Sequence, residues 1–160
     1  MKSEIVFQYA VSGMGRYGNA YHNSVTVLAD FEDPAAWPYR VDCVDEQEEE
    51  FAELDAEPNV EKRSYRISKA CFEQIKAYLA GNTALLRCAE YIENEVWDGE
   101  GESFGFLCGA TFKQISGTSV LGSAYGDEKL PAHLRSDNYW VAEAYETIKG
   151  MLQAQNVNEL

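Results

Sequence analysis

Basic residues are scarce in this chain, histidines scarcer, and closely spaced cysteine pairs are missing altogether. Thirteen Lys and Arg stand against 27 Asp and Glu, a formal charge of -14, which repels nucleic acid and anionic membrane surfaces and argues against direct binding to either. Cys43, Cys71, Cys88 and Cys108 are 28, 17 and 20 residues apart. The close C-x-x-C pairs of structural zinc and redox sites are therefore absent. Each thiol sits among apolar or small residues, as in Ala70-Cys71-Phe72, so four free and mostly packed cysteines are expected. With His22 and His133 alone, acid-base and metal chemistry have few candidates. No H-E-x-x-H, G-x-S-x-G or EF-hand pattern occurs, so no catalytic, metal or cofactor residue is assigned. No apolar run approaches the twenty or so residues of a bilayer-spanning helix. Glu4 and Gln8 interrupt the segment where an export signal needs an unbroken apolar stretch, which points to a cytoplasmic protein.

What the chain does have is apolar and aromatic residues in strand and helix periods. Hydrophobic residues make up 46% and aromatics 12% of the 160 residues, enough to fold as a single acidic domain over residues 1–160 without a disulfide or metal staple. Residues 4–11 alternate in the two-residue period of a strand, and Ser24 to Phe31 alternates likewise, predicting an antiparallel hairpin. The intervening Gly13-Met14-Gly15-Arg16-Tyr17-Gly18 matches G-x-G-x-x-G. Only Asn19 to Asn23 follow before the next strand, too few for the crossover helix of a dinucleotide site, so the glycines are read as the hairpin turn. Tyr39 to Val44 is a short third strand, and Arg63 to Ile67 is again extended. Phe104, Phe106, Cys108, Ala110 and Phe112 fall on alternate positions within a strand over residues 103–116. Gly117-Thr118 would turn it into a partner strand over 119–125.

Three helices are expected. Ser68 can cap the first, in which Cys71, Phe72, Ile75, Tyr78 and Leu79 recur at spacings of three and four, with Gly81 at its end. Thr83 can cap a second running through Leu85, Cys88, Ala89, Ile92 and Val96 before Asp98-Gly99. Ser136 can cap the third, with Val141, Ala144, Tyr145, Ile148, Met151 and Leu152 on one face. Strands do not alternate regularly with helices, so the fold class is α+β: an antiparallel sheet of about five to six strands, two hairpins plus a short strand, with two to three helices on one face. The stretch from Trp97-Asp98-Gly99 through Phe104, Phe106, Gly117 and Pro131 to the terminal amphipathic helix resembles small α+β domains of bacterial proteins, a resemblance that implies no activity.

The charge itself is concentrated. Ten acids and no base lie between Asp42 and Glu61, a block that repels itself and is expected to form an exposed acidic loop at about 44–62. Six more acids lie between Glu90 and Glu102. Aromatics are interleaved with both clusters. The candidate partner-binding residues are therefore Asp45, Glu46, Glu48, Glu49, Glu50, Phe51, Glu53, Asp55 and Glu57 in the first cluster, and Glu90, Glu93, Glu95, Trp97, Asp98, Glu100 and Glu102 in the second. Acids spaced like phosphates beside aromatic anchors would suit nucleic-acid mimicry or capture of a basic protein surface. The expectation is a non-enzymatic inhibitor of a basic protein partner, such as a nuclease or another nucleic-acid-binding protein, of the immunity or anti-defence type in bacterial or phage conflict. Two alternatives stay open: a small-ligand or assembly module whose charge only keeps it soluble, and a small enzyme with an unrecognised site.

Overall fold

A computed structural model describes residues 3–15, 18–50, 56–96 and 99–158. The first hairpin forms where alternation placed it and is longer than expected: β1 (Ser3–Met14) pairs with β2 (Ala20–Asp30) from Ser3 against Asp30 to Met14 against Ala20. Pairing then continues outward through β3 (Tyr39–Gln47) to β4 (Asn59–Arg66). The acidic stretch is therefore mostly strand at its ends, and the connection is limited to residues 48–58 rather than 44–62. Bases just outside the acidic run make this possible. Arg63 bridges Asp45 and Glu61, which face each other across β3 and β4, and the Arg40 Nε–H donates to Asp42 at 3.0 Å.

α1 (Lys69–Ala80) begins as its sequence demands, with the Ser68 hydroxyl accepting from the Cys71 N–H at 3.0 Å. Gly81 closes it in a right-handed conformation, φ -87°. The second helix departs from expectation. α2 spans only Thr83–Arg87 and is capped by Asn82, not Thr83; the chain becomes extended at Cys88 and forms the two-residue strand β5 (Tyr91–Ile92). Apolar spacings of three and four suited a helix through Val96, but tertiary pairing wins. The Ala89 N–H donates to the Asp137 carboxylate at 2.9 Å, and the Ile92 carbonyl crosses so close to Gly117 that a Cβ there would meet its oxygen at 2.5 Å.

The aromatic strand also differs. β6 (Gly101–Cys108) turns at Gly109-Ala110 into β7 (Thr111–Thr118), so the hairpin bends at Gly109, φ +71°, rather than at Gly117-Thr118. Pairing of Cys108 with Thr111 changes the parity of the inward positions. Phe104, Phe106 and Cys108 face the core, whereas Phe112 pairs with Leu107 on the opposite face, its ring lying directly over Gly105. Residues 119–125 are not a strand. Val120 is buried there, and 3-10 turns at Gly122–Ala124, Asp127–Lys129 and Ala132–Leu134 lead to α3 (Asp137–Gln153), capped by Ser136.

The sheet is thus seven-stranded and mixed, in the order β4-β3-β2-β1-β6-β7-β5, with β5 parallel to β7 and every other neighbouring pair antiparallel. The α+β class holds, with a larger sheet than expected and one parallel strand. Ile75 and Leu79 of α1, Leu85 of α2 and Ile148 and Leu152 of α3 pack with Phe7, Phe106 and Ile115 of the sheet in one core. All four cysteines are buried, and none is in a disulfide.

Candidate functional site at the acidic end of the sheet

Strand register decides where the charges go. Gly101, Ser12, His22, Glu46 and Val60 follow one another across β6, β1, β2, β3 and β4. The β1–β2 and β3–β4 connections and the segment entering β6 all emerge beyond this row. β5 runs parallel to the last residues of β7 and delivers the chain to the same end, where the Asn94 side-chain N–H donates to the Thr118 carbonyl at 3.0 Å. The two acidic clusters, distant in sequence, therefore lie at the same end of the sheet, on either side of β1 and β2.

Their members are not equivalent. Glu48, Glu49, Glu50 and Glu57 on the β3–β4 connection are exposed, as are Glu90 beside β5 and Glu93, Glu95 and Glu100 between β5 and β6. Glu48 also anchors the connection: its backbone N–H donates to the Ala20 carbonyl at 2.9 Å, and its carboxylate accepts from the Ala20 N–H at 3.1 Å. Glu49 accepts from Asn59, and Glu100 from the Tyr21 hydroxyl. Asp45 and Glu46 lie half-buried in β3, with Asp45 paired to Arg63. Glu102, expected among the partner-binding acids, lies inside instead. At 7% exposure it is a core acid, accepting from the Tyr9 hydroxyl at 2.6 Å and from the Leu121 N–H at 3.2 Å, and it presents no charge to a partner. Phe51, Glu53, Asp55, Trp97 and Asp98 lie outside the described residues.

Compared with models of known protein families the chain matches none, and no curated protein is found similar to it.

Two arrangements were invisible in the sequence. On the sheet face away from the helices, Ser12 Oγ lies 2.7 Å from His22 Nδ1, with Glu46 next along the same row. On the covered face, a cavity of about 200 Å³ sits over two consecutive cross-strand rows. Tyr9, Val25, Cys43 and Arg63 form one row; Val11, Asn23, Asp45 and Glu61 form the next. Tyr145 of α3 completes the lining, its ring 4.9 Å from that of Tyr9. Burial, aided by Glu146 and Glu102, pushes the Tyr145 phenol up to about 12. Burial and the Glu102 hydrogen bond raise Tyr9 further. Both hydroxyls therefore stay protonated at neutral pH. Alternation already placed Tyr9 and Val25 on one side of their strands, but nothing local indicated that Tyr145 would meet them.

Among the described residues, no group of three or more His, Cys, Asp or Glu side chains is arranged to hold a metal ion. No described helix is long and apolar enough to cross a membrane.

Proposed function

We propose that the protein is a non-enzymatic acidic binding protein that neutralises a basic, nucleic-acid-handling protein partner through the acidic end of its sheet. The observation that carries this reading is convergence: Glu48, Glu49, Glu50 and Glu57 on one connection and Glu93, Glu95 and Glu100 on another reach the same end of the sheet and are all exposed. A concentrated negative surface raises the encounter rate with a basic one and repels nucleic acid itself. On this reading the protein acts in the cytoplasm as an immunity or anti-defence factor and needs no cofactor. The backbone supports the surface at its start, since Glu48 is held against Ala20 at the start of β2 and needs little further ordering on docking.

The test is to recover a partner by pull-down from the native host and measure its binding kinetics against a Glu49→Lys, Glu50→Lys, Glu57→Lys variant. Glu48 is left intact because it anchors backbone. Association should slow by roughly tenfold or more at low salt, with a smaller effect on dissociation. An association rate and salt dependence unchanged by the triple reversal would make the acidic end a solubilising surface only. The small-ligand alternative draws on a separate observation, the cavity beneath Tyr145.

A further inference from the structure

The cavity over the Tyr9 and Val11 rows has features that packing alone does not require. Tyr145 is 6% exposed, yet its hydroxyl makes no hydrogen bond among the described residues. A phenol buried to that degree ordinarily finds a partner. Asn23, on the neighbouring row, likewise has a side-chain amide with no hydrogen bond among the described residues. The apolar part is supplied by Val11, Val25 and Cys43 on three adjacent strands. The site is thus an apolar and aromatic slot bordered by the Asp45–Arg63 ion pair, with the Tyr145 hydroxyl and the Asn23 amide left over as polar groups, a composition suited to a small molecule.

We propose that this cavity binds a small, neutral, planar molecule carrying a carbonyl or amide group. Its ring would lie on Val11, Val25 and Cys43 beside Tyr9, its carbonyl oxygen would accept from the Tyr145 hydroxyl, and the Asn23 amide would meet its polar edge. The volume sets the size. About 150 Å³ holds one benzene ring, so about 200 Å³ takes a ring and one substituent. Charge sets the rest. The lining carries one acid and one base, Asp45 and Arg63, paired with each other, so an anion would have to displace Asp45 from Arg63. A cation would likewise have to displace Arg63 from Asp45. The Tyr145 hydroxyl, kept protonated by burial, is a donor looking for a neutral acceptor. This site lies on the helix-covered face and does not depend on the acidic end binding a protein.

Three probes of nearly equal size separate the possibilities: benzamide, benzoate and benzylamine, titrated into the full chain with binding read by two-dimensional amide NMR. Benzamide, with about nine non-hydrogen atoms, should bind with a Kd on the order of 1 mM. Its shifts should centre on Val11, Val25 and Cys43, and the two charged analogues should bind at least about tenfold more weakly. Tyr145→Phe should weaken benzamide by roughly five- to tenfold while leaving the melting temperature unchanged or higher, since the removed hydroxyl has no partner to lose. Asn23→Leu, on a half-buried position, gives an independent second variant with the same direction of effect. Tightest binding by benzylamine or benzoate, no binding by any probe at roughly ten times the expected Kd, or benzamide binding unaffected by both substitutions would each overturn the proposal.

Discussion

Replacing Tyr9 by Phe removes one oxygen from a polar pair in the core, and its cost can be worked from the contacts. Glu102 is 93% buried and accepts two hydrogen bonds, from the Tyr9 hydroxyl at 2.6 Å and from the Leu121 N–H at 3.2 Å. The aromatic packing of Tyr9 against Phe104 and Tyr145, with ring centroids 5.1 and 4.9 Å away, is retained by Phe. What is lost is therefore a short hydrogen bond to a carboxylate, worth about 1.5–3 kcal/mol, with the remaining acid left partly unsatisfied. For a chain of this length, about 2 kcal/mol corresponds to a drop of roughly 4–8 °C in melting temperature. Urea unfolding of Tyr9→Phe should show the loss in the midpoint with the slope unchanged. In a Glu102→Ala background the same substitution should cost less than about 0.5 kcal/mol, because the double-mutant cycle isolates the pair. A Tyr9→Phe protein within about 0.5 kcal/mol of the parent would refute the claim that this hydrogen bond holds Glu102 inside the core.

Alkaline unfolding should follow from the same region. Tyr145 is raised to about 12 and Tyr9 is raised as well, while both ionise near 10 when unfolded. The folded state thus holds protons that the unfolded state releases, so stability is full below pH 10 and falls as pH rises from 10 through 12. Denaturation midpoints measured across that range should decline, and a flat profile would contradict the burial of both phenols. Thiol labelling at pH 8 should be slow for all four cysteines and fast in denaturant, since each is buried and Cys71, Cys88 and Cys108 are raised by burial, Cys88 to about 12. Rapid native labelling of any one would show it to be exposed. Gly117→Ala should detach β5, because the added methyl meets the Ile92 carbonyl oxygen, a backbone atom that cannot rotate away. Hydrogen exchange should accelerate at Tyr91 and Ile92, with a stability loss of about 1–3 kcal/mol.

The helices at Lys69–Ala80 and Asp137–Gln153 were legible from the sequence because their signals are local: an apolar stripe in the helical period and a serine cap, both within reach of the residues that use them. The same period misled over residues 83–96, where Leu85, Cys88, Ile92 and Val96 satisfy helical spacing but Ile92 is drawn into the sheet edge beside Gly117. Alternation through Phe112 misled likewise, since a tight turn at Gly109-Ala110 lets a period-two pattern run on while the chain reverses and the exposed face changes.

The α+β class, the first hairpin, two of the three helices, the burial of the cysteines and the presence of two concentrated acidic segments were all readable along the chain. Each follows from composition or from contacts between residues close along the chain. Three features emerge only in the folded chain: the acidic segments share one end of a seven-stranded sheet, Glu102 turns inward to Tyr9 while Glu100 stays outside, and Tyr145 closes a cavity over Tyr9 and Val25. Strand register, and which helix face lands on which row, set all three. Tyr9 and Tyr145 stand near opposite ends of the chain, and their meeting is fixed by the packing of the whole core rather than by any pattern either segment carries.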